Sequence, residues 1–289
     1  MAAWLPGLAL VFNAFTWGVS WWPFRQLQAL GLHPLWSTTL IYCFALLVIT
    51  LWRPAAWAQL LRTRSLWLLV LAAGTTNATF NWAVTMGDVV RVVLLFYLMP
   101  LWAVLLARLL LGERLTAFAG LRVAMALTGA AVVLWPTDGS LLPLPQTLAE
   151  WLSVLGGFSF ALNNVMLRRE AAQPEAARAL AMFLGGALVA GVLALSLAKT
   201  GAVPGLPAAA PAWLLGAGLM ALWFLMGNIA LQYGAGRLPA NVTAVIMVTE
   251  VLFASASALL LGAGSLSPAL LLGGALILGA SLLAAAPRG

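Results

Sequence analysis

Almost the whole chain is a succession of apolar runs, each about as long as a lipid bilayer is thick. They fall at roughly 4–24, 35–52, 66–87, 90–111, 117–135, 148–168, 177–198, 212–234, 239–261 and 267–285. A helix that crosses the hydrocarbon core needs about 20 apolar residues. Breakers separate the runs: His33-Pro34, Arg53-Pro54, Gly112-Glu113, Trp135-Pro136, Gln173-Pro174, Pro204 to Pro211 and Ser267-Pro268. Only 7% of the 289 residues are charged, against about 25% in soluble domains. That excludes a soluble globular fold, and the high hydrophobicity excludes disorder. An outer-membrane barrel would alternate over segments of about ten residues, whereas these runs are near-continuous. The expected class is an all-α polytopic membrane protein with ten transmembrane helices. The N-terminus has no basic stretch ahead of its apolar run, so that run is read as a retained first helix and not as a cleaved signal.

The net charge of +7 points to membrane topology and not to nucleic acid, because Lys and Arg concentrate in cytoplasmic loops. With the N-terminus in the cytoplasm, Arg53, Arg62, Arg64, Arg108, Arg114, Arg122, Arg168, Arg169, Arg178, Arg237 and Arg288 lie at inner ends, and only Arg25, Arg91 and Lys199 lie outside. The expectation is a bacterial inner-membrane protein with both termini cytoplasmic. Trp4, Trp36, Trp52, Trp57, Trp67, Trp135, Trp151 and Trp213 fall at span ends, as an interfacial aromatic belt requires. The single cysteine, Cys43, is read as a small apolar core residue, and the single histidine, His33, as an exposed loop residue.

An internal repeat runs at an offset of 150 residues. Leu-Leu-Leu-Gly at 109–112 lies on the same four residues at 259–262, Leu121 on Leu271, and Gly129-Ala130 on Gly279-Ala280. Phe15-Thr16-Trp17-Gly18 weakly matches Phe158-Ser159-Phe160-Ala161 at another offset. This divides the chain into units 1–140 and 141–289. Five spans per unit is odd, so the second unit enters the membrane from the opposite side. Two inverted five-helix repeats are a common build of alternating-access transporters, with the site near the midplane between them.

The segment 96–115, with mid-span Pro100 and terminal Gly-Glu-Arg-Leu, resembles the fourth-helix signature of the drug/metabolite transporter superfamily, in its EamA-like ten-helix group. Trp17-Gly18 fits that group's first helix. Residues 87–100, GlyAspValValArgValValLeuLeuPheTyrLeuMetPro, are similar to bacterial aromatic amino acid exporters of the YddG type. The second half departs from the pattern: Glu250 stands at the position equivalent to Pro100, and Ala263 at that of Glu113. The resemblance implies ten helices, a central cavity and export of aromatic or other neutral amino acids.

Polar groups deep in a bilayer are costly unless paired or wetted, so each needs a reason. Asn77, Asn81, Thr85 and Asp88 form one helical stripe. Its two amides could hold a substrate's amino and carboxylate groups or join helices at about 0.6–2 kcal/mol per bond. Asn13, Trp17, Ser20 and Trp21 form a polar-aromatic face of the first span, and Trp17 is a candidate for stacking on cargo. Phe80, Tyr97 and Trp102 are further aromatic candidates, with Pro100 a hinge or a static kink. Asn163, Asn164 and Asn228 lie toward the cytoplasmic side, and Thr243, Met247 and Glu250 share a face. Glu250 is the one acid at the centre of a span, read either as a coupling site or as a neutral hydrogen-bond donor. Asp88 and Arg91 are expected to form a local ion pair.

No HExxH, GxSxG or phosphate-binding loop occurs, and no acid cluster would bind a metal. No catalytic residue, metal site or cofactor is expected. A channel's repeated selectivity element or charge ring is also missing. The expected function is a secondary transporter, not an enzyme, exporting aromatic or neutral amino acids by alternating access. The alternative is a general small-metabolite or drug exporter of the same fold. Its partners would be the small-molecule substrate and the lipid bilayer, with no requirement for an oligomer.

Overall fold

The computed structural model describes residues 4–112, 117–135, 144–235, 237–238 and 246–285. Its regular elements are all helices: α1 Leu5–Gly18, α2 Trp21–Ala29, α3 Pro34–Trp52, α4 Ala55–Arg62, α5 Arg64–Met86, α6 Val89–Phe96, α7 Met99–Leu111, α8 Ala117–Val133, α9 Leu148–Arg169, α10 Glu175–Lys199, α11 Pro211–Ala235, α12 Thr249–Leu260 and α13 Pro268–Ala285. The protein is an all-α polytopic membrane protein. Each apolar run of the sequence overlaps a described helix or a pair of helices. By length and hydropathy, Pro34–Trp52, Val89–Leu111, Glu175–Lys199 and Pro211–Leu231 each suffice to cross a bilayer, while α8, α12 and the first part of α13 are shorter apolar helices.

Local chemistry sets the helix ends. Thr147 and Glu150 form a reciprocal capping box at the start of α9. The Asp88 carboxylate accepts the Arg91 N–H at 3.0 Å and starts α6. Gly112 adopts φ +69° after α7, the left-handed ending that a side chain would resist. Glu175 in the first turn of α10 and Lys199 in its last both complement the helix dipole.

Large apolar side chains point outward at helical spacing. Phe44, Leu47 and Leu51 are exposed on α3, Leu188, Val192 and Leu195 on α10, and Leu215, Leu219 and Leu222 on α11. Lipid tails solvate such stripes, so small residues drive helix contact instead. Several crossings among the described residues are tight enough to need glycine, two of them between helices that pack along much of their length. A Cβ on Gly185 would lie 2.1 Å from the Val70 carbonyl oxygen of α5, and one on Gly74 would lie 2.3 Å from the Gly185 oxygen. A Cβ on Gly129 of α8 would lie 2.7 Å from the Gly273 oxygen of α13. Helix α5 packs mainly on α9 and α10, α10 also on α3, α1 on α11 and α12, α7 on α9, and α8 on α13.

Several expectations are corrected. The first span is broken after Gly18, giving α1 and α2, and α4 is an extra helix between the second and third runs. Pro100 sits in the first turn of α7, two residues after the turn at Tyr97-Leu98 that separates α7 from α6. Cys43 is exposed on the outer face of α3 and not in the core. His33 is buried, its Nδ1 accepting the Leu35 N–H at 3.3 Å and its ring meeting Trp82 edge-on at 5.1 Å. Burial holds that imidazole below its usual pKa, which suits an acceptor nitrogen.

Candidate functional site

A cavity of about 520 Å³ lies among α1, α3, α5, the end of α6, α9, α10, α11 and the start of α12. Its size falls in the range for small-molecule sites. Leu167 at the end of α9 and Glu175, Arg178 and Ala179 at the start of α10 line one end. That end also carries Arg168 and Arg169, and the α9–α10 turn is tied there to α4 by the Gln59–Gln173 side-chain bond. The cavity therefore runs from mid-bundle toward the arginine-rich face.

The opposite end is closed by contacts between distant parts of the chain. Trp21 Nε1 donates to Ser257 Oγ at 2.9 Å. Arg25 donates to the carbonyls of Val84 at 3.0 Å and Gly87 at 2.6 Å. The Asp88 carboxylate accepts from the N–H of Ser265 at 2.8 Å and from its hydroxyl at 3.2 Å. Arg91 does not pair with Asp88, as proximity in sequence suggested. Its guanidinium meets Glu150 of α9 at 2.6 Å, because Asp88 is already engaged as a cap.

Aromatic rings form most of the wall, in three groups. Trp17 stands against Phe224 at 4.6 Å between ring centroids; Phe96 meets Phe80 at 4.7 Å and Phe160 at 5.4 Å; Tyr42 faces Phe183 at 5.7 Å. Flat apolar surfaces of this kind stack on another ring with about 0.5–1.5 kcal/mol beyond burial. Among the described residues the polar wall consists of Asn13, Thr76, Asn77, Asn163, Asn228 and Glu250, with Arg178 and exposed Glu175 at the arginine-rich end.

Of the residues singled out from sequence, Trp17, Asn77, Phe80, Asn163, Asn228 and Glu250 line this cavity. Tyr97 lies behind the wall, its hydroxyl 3.1 Å from Glu250 Oε2 and 3.4 Å from the Met247 carbonyl. Three others sit elsewhere. Asn81 is fully buried and donates to Thr38 Oγ1 at 3.0 Å. With the Tyr42–Asn77 bond one turn away, it makes a polar seam between α3 and α5. Asn164 is exposed, since it follows Asn163 by one residue and so points about 100° away. Trp102 packs edge-on against Phe158 at 5.5 Å, between α7 and α9. Pro100 is placed by its backbone alone, at the α7 start. Thr243 and the Glu113-Arg114 pair lie outside the described residues.

Tyr42, Phe96, Phe160, Phe183, Phe224 and Arg178 line the cavity without having been singled out. An aromatic residue inside an apolar span offers no contrast to read. Arg178 had a signal: Glu175, Arg178, Met182 and Phe183 are spaced as one helix face.

Residues 5–135 match the EamA-like transporter family. An uncharacterised transporter of Vibrio cholerae is 29% identical over 136 residues, 44% of this chain and 45% of that protein. Protein RarD of Salmonella typhi is 29% identical over 177 residues, 58% of this chain and 57% of its own length. The chloramphenicol-sensitive protein RarD of Pseudomonas aeruginosa is 33% identical over 156 residues, 51% of this chain and 48% of that one. The chain thus spans about half the length of the curated relatives it matches. A protein of known crystal structure shares the fold across 96% of each chain, with a TM-score of 0.60 at 19% identity.

Proposed function

We propose that the protein is a secondary transporter of the bacterial inner membrane that exports aromatic and other neutral amino acids by alternating access. The observation that carries this reading is the cavity itself: ring-lined, furnished with amides, reaching exposed Glu175 at the arginine-rich end and closed at the other. An aromatic zwitterion asks for that combination, flat apolar surface for its ring and hydrogen-bonding groups for its charged end. Arg178 at the mouth suits a carboxylate, which a guanidinium binds by two parallel bonds. If arginines mark the cytoplasmic face, the cavity faces the compartment from which an exporter loads.

Two inverted repeats, 1–140 and 141–289, supply the alternation. Exchanging the first five spans with the second five maps the α5–α9 packing onto α11–α1, α7–α9 onto α12–α1, and α5–α10 onto α11–α3, while α8–α13 and α3–α10 map onto themselves. The helix interruptions agree, since Leu98 and Val248 are turns 150 residues apart, the offset of the sequence repeat. Interrupted helices at matching positions of two halves are the usual surroundings of a transporter's site. The Tyr97 hydroxyl joins these two interruptions directly.

Proteoliposome flux over a panel of amino acids tests the cargo. Trp17→Leu and Phe160→Leu should each lower phenylalanine and tryptophan flux about fivefold, the equivalent of about 1 kcal/mol of stacking, and leave leucine flux within about twofold. Equal losses for all substrates would remove the aromatic reading. Chloramphenicol, named in one relative, belongs in the panel, and its transport without that of amino acids would favour a drug exporter.

A further inference from the structure

Two of the cavity's unmet polar groups are acceptors; a third, Arg178 Nε toward the arginine-rich end, is a donor. Asn13 and Asn163 are 1% and 2% exposed, and both line the cavity. Their Nδ2 groups are spent on the Gly227 carbonyl at 2.8 Å and on Asn164 Oδ1 at 3.5 Å, while both Oδ1 atoms are buried without a hydrogen-bond partner. Orphaned buried acceptors of this kind are costly and call for a ligand or water. Glu250 adds a carboxylate on the same wall. Tyr97 donates to its Oε2 at 3.1 Å, and among the described residues no Lys, Arg or His pairs with it.

We infer that Glu250, with Asn13 and Asn163, forms an acceptor set for a primary ammonium group, and that cargo and proton bind Glu250 in alternation. An ammonium brings three donors and no acceptor, the complement of what this wall lacks. A carboxylate at that depth cannot hold its charge unaccompanied, so it carries either a proton or the cation of the cargo. When the ammonium arrives, the Glu250 proton leaves to the open side; when the emptied carboxylate faces the other side, it takes a proton there. One zwitterion moves out for each proton that moves in.

Tyr97 stays bonded through both states, since its hydroxyl can donate to a carboxylate and also reach the Met247 carbonyl at 3.4 Å. Other ionisable groups are few around Glu250. Tyr42, Glu175 and Arg178 share the cavity wall. Helix α1, which packs against α12, has no ionisable side chain. Arg91 of α6 is committed to Glu150, and Arg25 of α2 to the α5 end.

This inference rests on the transporter reading but is tested by binding. Phenethylamine (a ring and an ammonium without a carboxylate) is titrated calorimetrically into purified protein in two buffers of different ionisation enthalpy, which counts the protons exchanged. The wild type should release close to one proton for each amine bound, as linkage requires when a proton and a ligand share one site. 3-Phenylpropionate, with the same ring and no ammonium, should release none. Glu250→Gln should bind the amine roughly tenfold more weakly and release none, whereas Glu250→Asp and Tyr97→Phe should keep the release. No proton release by the wild type, or an equal release by Glu250→Gln, overturns the inference. Amino acid transport found together with that result would leave the transporter standing. Proton release without amino acid transport would overturn the cargo and leave the ammonium site.

Discussion

Gly185→Ala should cost the protein substantial stability. The new methyl would lie 2.1 Å from the Val70 carbonyl oxygen and 2.9 Å from the Gly74 nitrogen, all backbone that no rotamer change can clear. Helices α5 and α10 would have to separate by more than an ångström, and α5 also packs against α9 and its end borders the closed end of the cavity. Overpacking of this kind costs about 1–3 kcal/mol, and here the cost falls on the crossing that positions Asn77 and Phe183. Gly218→Ala on α11 is the control, because nothing lies within 4 Å of its added carbon. It should be neutral or slightly stabilising, since alanine favours a helix by up to about 1 kcal/mol over glycine. Thermal denaturation in detergent compares the two. Equal melting temperatures for both variants would mean that the α5–α10 crossing is looser than described.

Asp88→Ala should open the end of the protein that is now closed. The carboxylate takes two bonds from Ser265 and starts α6, so it ties the α5–α6 junction to the loop before α13. Hydrogen bonds to a charged group are worth about 1.5–3 kcal/mol. Partial exposure lowers that figure, which leaves roughly a tenfold shift toward a state open on that side. Spin labels at Leu30 and Leu266, both exposed, would report it in a background without Cys43. The wild type should give one short distance distribution and Asp88→Ala a second, longer population, with Asp88→Asn intermediate because it keeps an acceptor oxygen. Identical distributions would show that Asp88 caps a helix without holding a gate.

Much of this is legible in the sequence alone. Spans follow from apolar length, since a bilayer leaves little else for such runs to do. The polar residues of the site stood out for the same reason: Asn77, Asn163, Asn228 and Glu250 contrast with their surroundings. Periodicity says which residues share a helix face but not which neighbour that face meets. Asn77 and Asn81 do share one; it is turned toward α3, and only Asn77 reaches the cavity edge. A three-residue spacing points Arg91 at Asp88, but Glu150, distant in sequence, has the better-placed carboxylate. Five of the seven rings on the wall escaped notice, because a phenylalanine or tyrosine in an apolar span looks the same facing lipid, a neighbour or a substrate. The helix turn at Val248 was equally hidden, as neither glycine nor proline marks it.

Counterflow tests the central claim most directly. Proteoliposomes holding the purified wild-type protein are loaded with unlabelled phenylalanine and diluted into a trace of the labelled amino acid. A cavity that opens to one side at a time must return to that side by carrying something, so loaded vesicles should accumulate label transiently, several-fold above unloaded ones, and with saturation. Tryptophan loading should do the same. Label that enters at one rate whether or not the vesicles are loaded, rising in proportion to concentration without limit, would contradict alternating access and make the cavity part of an open pore.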